Sequence, residues 1–314
     1  MDWVFSLVSK FRLAAGGYNK YCNMNNKLLF HYTTADAAIG IIKNKFLWAT
    51  DIRFLNDSEE FIYGCKMVKD IADQLKKGDI EHDIDNNLIE ALSSVAEFLV
   101  NDEDYFGAAY VISLSEKKDS LSQWRAYSSD GGYALGWSVD KLRKLAKLRG
   151  ARLVKCIYKE DAQRKFVLRI IRFISHKLKN VQTYTWQKLL ESCIREYAIT
   201  FILQRFMPRL KHAAFEDEEE WRIVIPSGAP INFRSGRFGV VPYVEYSIRN
   251  DDPVPVAENI FVDHESFYMP ENLTVGPSEN QKLAKMGVQK LLKAVSKSNC
   301  EIELSNLPYR HMRK

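Results

Sequence analysis

Along the chain, short segments with strand-like composition and amphipathic helical segments follow one another in irregular order. Of all the sequence features, this order most strongly constrains the fold. Runs rich in Val, Ile and aromatic residues predict strands at Leu28–Thr33, Lys45–Asp51, Ala108–Ser115, Gly131–Val139, Ala151–Tyr158, Glu220–Pro226, Phe238–Ile248 and Cys300–Arg310. Apolar residues at helical spacing predict helices near residues 34–43, 59–77, 86–100, 140–149, 161–213 (as two helices) and 279–296. Because regular strand–helix–strand repetition is absent, we predict an α+β domain rather than a doubly wound parallel sheet.

The composition fits one large domain, or two small ones, with a substantial core. Of the 314 residues, 46% are hydrophobic and 27% are charged, which argues against bulk disorder. The five cysteines are odd in number, and no pair has the C-x-x-C spacing of a zinc site. We therefore predict a protein of the reducing cytoplasm without disulfides and without a bound metal. No run reaches the roughly 18 apolar residues of a transmembrane helix, so no transmembrane segment is predicted.

Residues 1–26 are predicted to be an N-terminal extension of the main domain, which we place at 27–314. Apolar residues at helical spacing predict a short amphipathic helix there, formed by Trp3, Val4, Leu7, Val8 and Phe11. Its simplest role is docking on its own domain, and the alternative is contact with a partner or a membrane surface. The sequence does not indicate an oligomeric state.

The formal net charge is +5, and much of the positive charge lies in residues 141–179. A basic stretch of this kind can attract DNA or RNA through phosphate contacts. The commoner role of such a stretch is a solvated helix face, and both interpretations stay open.

A first candidate site is His31-Tyr32-Thr33, at the end of a predicted strand and directly before a predicted helix. Backbone N–H groups at a helix N-terminus suit an anionic ligand, and a histidine there can hydrogen-bond a ribose or a phosphate. A core histidine whose ring is satisfied by the backbone explains the same pattern.

A second candidate site is the aromatic segment Gln123–Tyr127, which precedes the glycine turn before Tyr133. The rings of Trp124, Tyr127 and Tyr133 offer a stacking surface for a planar ligand. Ordinary helix packing is the alternative, because Trp124 and Tyr127 are three residues apart and share a helix face.

The third candidate site is the acidic run Glu216–Glu220, which precedes an apolar strand. Such a run is normally a solvated loop. If the strand starts early, however, the alternation of side chains places Glu218, Glu220 and Arg222 on one face. Two carboxylates held there can stabilise positive charge that develops on the anomeric carbon of a sugar. A register shifted to Glu219 would reverse the face.

These clusters occur in the order found in the bacterial DUF2971 family. The segments that carry the likeness are LFHYTTADAAIGIIKNKFLWAT, FLNDSEE, VISLSEKKDSLSQWRAYSSDGGYALGW, DEEEWRIVI, TVGP and LSNLPYR. Over Lys27–Arg310 the chain resembles this family, which in turn resembles ADP-ribosyltransferases of the His-Tyr-Glu kind. The resemblance implies a split mixed β-sheet of the ADP-ribosyltransferase type, with helical insertions and an NAD-binding cleft.

The resemblance also implies roles for single residues. His31 is expected to contact the ribose of NAD, and Glu220 is expected to be the catalytic glutamate. Glu218 corresponds to the first acid of a Glu-x-Glu pair. Further expected cofactor contacts are Tyr32, Thr33, Arg53 and Ser113.

The ring that stacks on nicotinamide is expected to be Tyr127 or Tyr133, whereas Trp124 is expected nearer the core. The implied activity is transfer of ADP-ribose from NAD to a macromolecular acceptor, either nucleic acid or protein, in a toxin or anti-phage effector. The alternatives are an NAD glycohydrolase, with water as the acceptor, and an inactive module that binds a nucleotide or a partner.

Overall fold

The described part of the chain forms a mixed sheet of ten strands with helices on both faces. The computed structural model describes residues 27–55, 60–101, 109–128, 131–178, 188–225, 229–236, 239–249, 269–295 and 299–308, without the side chains of 177–178 and 188–194. The strands are β1 (Leu28–Thr34), β2 (Phe46–Asp51), β3 (Tyr110–Ser115), β4 (Gly132–Ser138), β5 (Arg152–Lys155), β6 (Glu220–Ile225), β7 (Asn232–Gly236), β8 (Gly239–Ser247), β9 (Asn272–Val275) and β10 (Glu301–Leu304). The predicted N-terminal extension lies outside the described residues.

The helices lie where apolar residues recur at helical spacing. They are α1 (Ala35–Asn44), α2 (Glu60–Lys77), α3 (Asn86–Asn101), α4 (Leu121–Tyr127), α5 (Val139–Leu148), α6 (Glu160–Leu178), α7 (Lys188–Phe206) and α8 (Gln281–Val295). Helix α1 shows how local residues set such boundaries. Thr34 Oγ1 accepts a hydrogen bond from the Ala37 amide at its start, and Lys45 in the left-handed region ends it.

The sheet branches at β3. Strand β6 pairs with β3 along its whole length, from Tyr110 to Ser115. Strands β1 and β2 therefore share the opposite edge of β3, where β1 pairs at Ser115 and β2 pairs at Tyr110 and Val111. Between these points β1 and β2 separate, which leaves a gap in the sheet beside the middle of β3.

Each side of the sheet carries its own apolar core, because side chains alternate along the strands. Val111 and Val224 pack on one side with α2, α3, α6 and α7, and we call this side the α2 face. Ile112 and Ile223 pack on the other side with α1, α5 and α8, and we call it the α1 face. The sheet thus lies between two helical layers.

The predicted mixture of helices and strands is confirmed, since the structure has a large mixed sheet and several helices. Only β9 and β10 form a parallel pair among the described strands. Two of the ten described strands are not predicted from the sequence. They are β9, a short strand between β4 and β10, and β7, which forms the sheet edge as a hairpin with β8. Strand β7 has the weaker signal. Most of its side chains are exposed and polar, so it lacks an apolar pattern. Among the described residues, no helix has the length and apolar character needed to cross a bilayer.

Candidate functional site

A small recess lies on the α2 face, where β1 and β2 separate. It is bordered by the second half of β3, the start of β6 and the short helix α4. The residues that line it are Phe30, His31, Tyr32, Ser113, Leu114, Ser115, Gln123, Tyr127, Glu218 and Glu220. The gap in the sheet therefore brings together residues from four distant segments of the chain.

His31 lies in the gap between β1 and β3. Its Nδ1 is 3.0 Å from the Ser113 carbonyl oxygen, and Nδ1 must donate because a carbonyl only accepts. Burial lowers the pKa of His31, and the hydrogen bond to Ser113 offsets this effect only in part. The ring is therefore neutral near pH 7, with its proton on Nδ1 and with Nε2 as a hydrogen-bond acceptor.

Glu220 is the first residue of β6, and two buried cations hold its carboxylate. Lys211 Nζ lies 2.6 Å from Glu220 Oε2. Arg222 Nε lies 2.7 Å from Oε1, and Arg222 Nη2 lies 2.9 Å from Oε2. A carboxylate has about four acceptor positions, so these three contacts leave capacity for about one further hydrogen bond.

These charges belong to a larger buried cluster, the Lys211–Arg222 network. Arg222 Nη2 also contacts Glu60 Oε2 at the start of α2, and Lys211 Nζ lies 3.2 Å from Glu60 Oε1 and 2.7 Å from Glu218 Oε2. Three carboxylates therefore surround two cations. Burial raises the pKa of Glu60 in spite of both cations. For Glu220 burial acts in the same direction, but the charges of Arg222 and Lys211 outweigh it and lower the pKa to about 2.

Glu218 reaches the recess by a different route from the predicted one. Strand β6 begins at Glu220, and Glu218 ends a 3₁₀ helix, Ala213–Glu218. Between them Glu219 lies in the left-handed region, with φ of 46°, and this turns the chain. The predicted common strand face of Glu218, Glu220 and Arg222 is therefore wrong for Glu218, because strand alternation does not continue through a left-handed residue. The turn nevertheless brings the Glu218 carboxylate to the recess.

Of the two tyrosines predicted as the stacking ring, Tyr127 lies at the recess. Burial raises the pKa of its hydroxyl, and the negative charges of Glu220 and Glu218 raise it further. Tyr133 instead packs with the core of the α1 face, where its hydroxyl lies 3.4 Å from the Ala284 carbonyl oxygen. Tyr127 and Tyr133 therefore lie on opposite faces of the sheet.

Three more side chains predicted as cofactor contacts do not line the recess. Trp124 is 1% exposed and packs edge-on against Tyr32, with ring centroids 4.6 Å apart. Arg53 binds the Asp51 carboxylate through Nε and Nη2 at the end of β2. Thr33 is buried within β1. The other two expected cofactor contacts, Tyr32 and Ser113, border the recess, and the Tyr32 hydroxyl donates to the Lys117 carbonyl oxygen.

Two residues of the Lys211–Arg222 network, Lys211 and Glu60, are not singled out in the sequence. Each lies in a segment rich in charged residues, so nothing local marks it as buried. Arg222 is the signal that points to them, because it interrupts the apolar run Trp221–Ile225. A charged side chain in a buried strand requires buried counter-charges.

The recess is small in this structure, with a cavity volume of about 30 Å³. A pocket that encloses a drug-sized ligand is typically about 300–1,000 Å³. Without movement of its lining, the recess holds little more than a water molecule or two. Among the described residues, no group of three or more His, Cys, Asp or Glu side chains could hold a metal ion.

Comparison with known families gives one match, which covers α4 to the first half of β6. Residues 123–223 match the DUF2971 family. The resemblance to DUF2971 seen in the sequence is confirmed for this segment, and the family is described as a protein of unknown function. The segment contains Tyr127, Glu218 and Glu220 but not His31. No curated protein and no solved structure matches the chain.

Acid titration tests the lowered pKa of Glu220. Its pKa falls from an ordinary 4.5 to about 2 in the folded protein, so its ionised form contributes stability above pH 4.5. That contribution is lost as the pH falls from about 4.5 toward 2. We expect Glu220→Gln to lack this part of the acid dependence of the unfolding free energy, measured by urea denaturation at a series of pH values. Glu97→Gln, at a half-exposed side chain paired with Lys69, is the control. Identical profiles for Glu220→Gln and the wild type would contradict the assignment.

Proposed function

We propose that this chain is an NAD-dependent ADP-ribosyltransferase that modifies a macromolecular acceptor, with the recess as its site. The observation that supports this proposal most strongly is the meeting of His31 and Glu220 at one recess. The two residues lie far apart in the sequence and belong to strands on opposite edges of β3. Their predicted roles in NAD cleavage require such a meeting.

The side chains at the recess suit cleavage of the bond between nicotinamide and ribose. Nicotinamide leaves from NAD as a neutral molecule, so it needs little help from an acid. The main requirement is a negative charge that stabilises the cationic sugar in the transition state. Glu220 stays ionised at neutral pH because its pKa is about 2. In the proposal, neutral His31 accepts a hydrogen bond from a ribose hydroxyl through Nε2, and the Tyr127 ring stacks on nicotinamide.

The cavity volume of about 30 Å³ sets a condition on this mechanism. NAD is too large to enter as a whole. In the proposal, only its nicotinamide and the adjoining ribose approach Glu220, after side chains at the mouth of the recess move. The rest of the dinucleotide lies along the surface, where the acceptor also approaches.

A second candidate function is nucleotide binding without turnover. The contacts of Glu220 favour it, because Lys211 and Arg222 already occupy most of the acceptor positions of its carboxylate. Their positive charges also weaken its effect on a cationic sugar. Catalysis requires that the negative charge of the three carboxylates outweighs these two cations at the reacting carbon.

Incubation of the purified full chain with NAD labelled in the adenylate part distinguishes these functions. Label that enters macromolecules of a cell lysate, and that protease, DNase or RNase then releases, supports transfer and identifies the acceptor class. Free ADP-ribose and nicotinamide without labelled macromolecules support a glycohydrolase. Binding of NAD without turnover supports the binding module, and absence of both binding and turnover contradicts the proposal.

The variant His31→Ala tests the position of the pocket. We expect it to weaken NAD binding about tenfold, because it removes one hydrogen bond to the ribose in a buried site. Isothermal titration calorimetry measures the affinity, and urea denaturation measures any loss of stability. His82→Ala is a matched control, since His82 also bonds a backbone carbonyl, that of Leu75, but does not line the recess. Equal loss of NAD affinity in both variants would count against this pocket.

A further inference from the structure

A second surface with ligand-binding character lies on the α2 face of β2, β8 and β7. Side chains that are opposite one another in an antiparallel ladder share a face. Thr50 of β2 is opposite both Val111 of β3 and Tyr243 of β8, so all three lie on the α2 face. By the same alternation this face carries Phe46 and Trp48 of β2, Glu245 of β8 and Arg234 of β7. We call Phe46, Trp48, Thr50, Arg234, Tyr243, Glu245 and Arg249 the Trp48 surface.

An exposed indole is the centre of this surface. Trp48 is 47% exposed although it belongs to a strand in the middle of the sheet order. Its ring lies against Tyr243, with centroids 4.7 Å apart and an interplanar angle of 36°. Tyr243 is buried and packs against one side of the indole, so the other side of Trp48 is available to a planar ligand. A held aromatic ring of this kind is what stacks on a nucleobase.

At one end of the surface lies Arg234, for which the described residues supply no counter-charge. Arg234 Nη2 donates a hydrogen bond of 3.1 Å to Thr50 Oγ1. Its Nε is buried and has no hydrogen-bond partner in the described structure. Among the residues that the structure describes, no carboxylate forms an ion pair with Arg234. Burial lowers the pKa of this guanidinium, and nearby Tyr243 offsets the effect only in part. An anion beside the exposed part of the guanidinium would balance its charge.

At the other end, the Arg249 guanidinium lies 5.3 Å from the centroid of the Phe46 ring and donates to the Asn44 carbonyl oxygen. Phe46 and Thr50 are four residues apart on β2, which corresponds to about 13 Å. A cation thus lies at each end of a short track, with an exposed ring between them. Glu245, opposite Trp48, is the acid on this track, and its carboxylate can accept hydrogen bonds from amino groups of a base.

We propose that the Trp48 surface binds single-stranded nucleic acid. One base stacks on Trp48, and the phosphates on either side of it lie near Arg234 and Arg249. Stacking on an exposed ring requires an unpaired base, which a duplex does not offer. Thr50 of this surface is opposite Val111, which lies two residues along β3 from Ser113, whose carbonyl holds His31. The surface lies on the same face as the recess. The proposal does not require NAD turnover, and it can hold if the proposed function fails.

Fluorescence anisotropy of the full chain with a short labelled single-stranded oligonucleotide, as DNA and as RNA, tests this surface without NAD. We expect Trp48→Ala to weaken binding about tenfold or more, which corresponds to the loss of one stacked base. Arg234→Gln should weaken binding and also flatten its dependence on salt concentration, because one phosphate contact is lost. Trp48→Phe should restore most of the affinity, since it keeps a stacking ring.

Matched variants separate this surface from general effects. Phe98→Ala removes an aromatic side chain with 49% exposure on α3 and should leave binding unchanged. Arg172→Gln removes an exposed cation from basic α6 and should cause a smaller loss than Arg234→Gln. The proposal is overturned if wild-type protein does not bind the oligonucleotide. It is also overturned if a duplex or a mononucleotide binds equally well, or if Phe98→Ala and Arg172→Gln reduce binding as much as the variants of the Trp48 surface.

Discussion

Replacing Arg222 with Met is expected to lower the free energy of unfolding by about 3–5 kcal/mol. Arg222 is 1% exposed and contacts both Glu60 and Glu220. Without it, Lys211 would be the sole cation among three carboxylates. Removal of one partner from a buried ionic cluster is costly because the remaining charges keep their desolvation penalty and lose their attraction. Urea denaturation measures the change, with the same dependence of the unfolding free energy on urea concentration used for both proteins.

Arg164→Met is the matched control for this prediction. Arg164 forms an ion pair of 2.8 Å with Asp70, but both side chains are partly exposed. An exposed pair of this kind contributes about 0–1 kcal/mol. We further expect the loss in Arg222→Met to become smaller at acidic pH, because Glu60 has a raised pKa and takes up a proton readily. A loss in Arg222→Met no larger than that in Arg164→Met would show that the network does not stabilise the fold.

The Lys211–Arg222 network links the stability of the protein to its candidate site. The same two cations that lower the pKa of Glu220 also connect the start of α2 with the start of β6. A ligand that contacts the Glu220 carboxylate therefore acts on a cluster that holds two elements together. Bound ligand is expected to raise the unfolding free energy in proportion to its affinity and concentration.

The strands and helices are predictable because their signals are local. The apolar run of β1 is followed by Thr34, a residue type that commonly caps helices, and its side chain caps α1. Prediction fails for β7, whose exposed residues Asn232–Gly236 carry no strand pattern. Its place at the sheet edge depends on the hairpin with β8, and no local propensity encodes that pairing.

The candidate site is predictable only in part, since it depends on long-range pairing. The recess exists because β1 and β2 share one edge of β3, and this topology cannot be read from the spacing of residues. The resemblance, and not a pattern in the sequence, predicts that His31 and Glu220 meet. The sequence does not mark Lys211, because a lysine in a polar segment is normally exposed. The left-handed Glu219, which brings Glu218 to the recess, has no signature in an acidic run.

Glu220→Gln is expected to reduce NAD turnover by about 100- to 1,000-fold, if the proposed function holds. The amide has the shape of the carboxylate but no charge, so it no longer stabilises a cationic sugar. The variant should stay folded, because Glu60 and Glu218 then balance Lys211 and Arg222 one for one. Release of nicotinamide measures turnover, and calorimetry measures NAD binding, which should change little.

Glu219→Gln provides the control with the closest chemistry. Glu219 is adjacent in sequence and half exposed, yet it does not line the recess. Turnover in Glu219→Gln should equal that of the wild type, since the left-handed turn directs the chain so that only the acids on either side reach the site. Loss of turnover in Glu219→Gln with full activity in Glu220→Gln would place the catalytic acid one residue earlier. Full activity in both variants would remove Glu220 from the mechanism and leave Glu218 as the other carboxylate that lines the recess in the described structure.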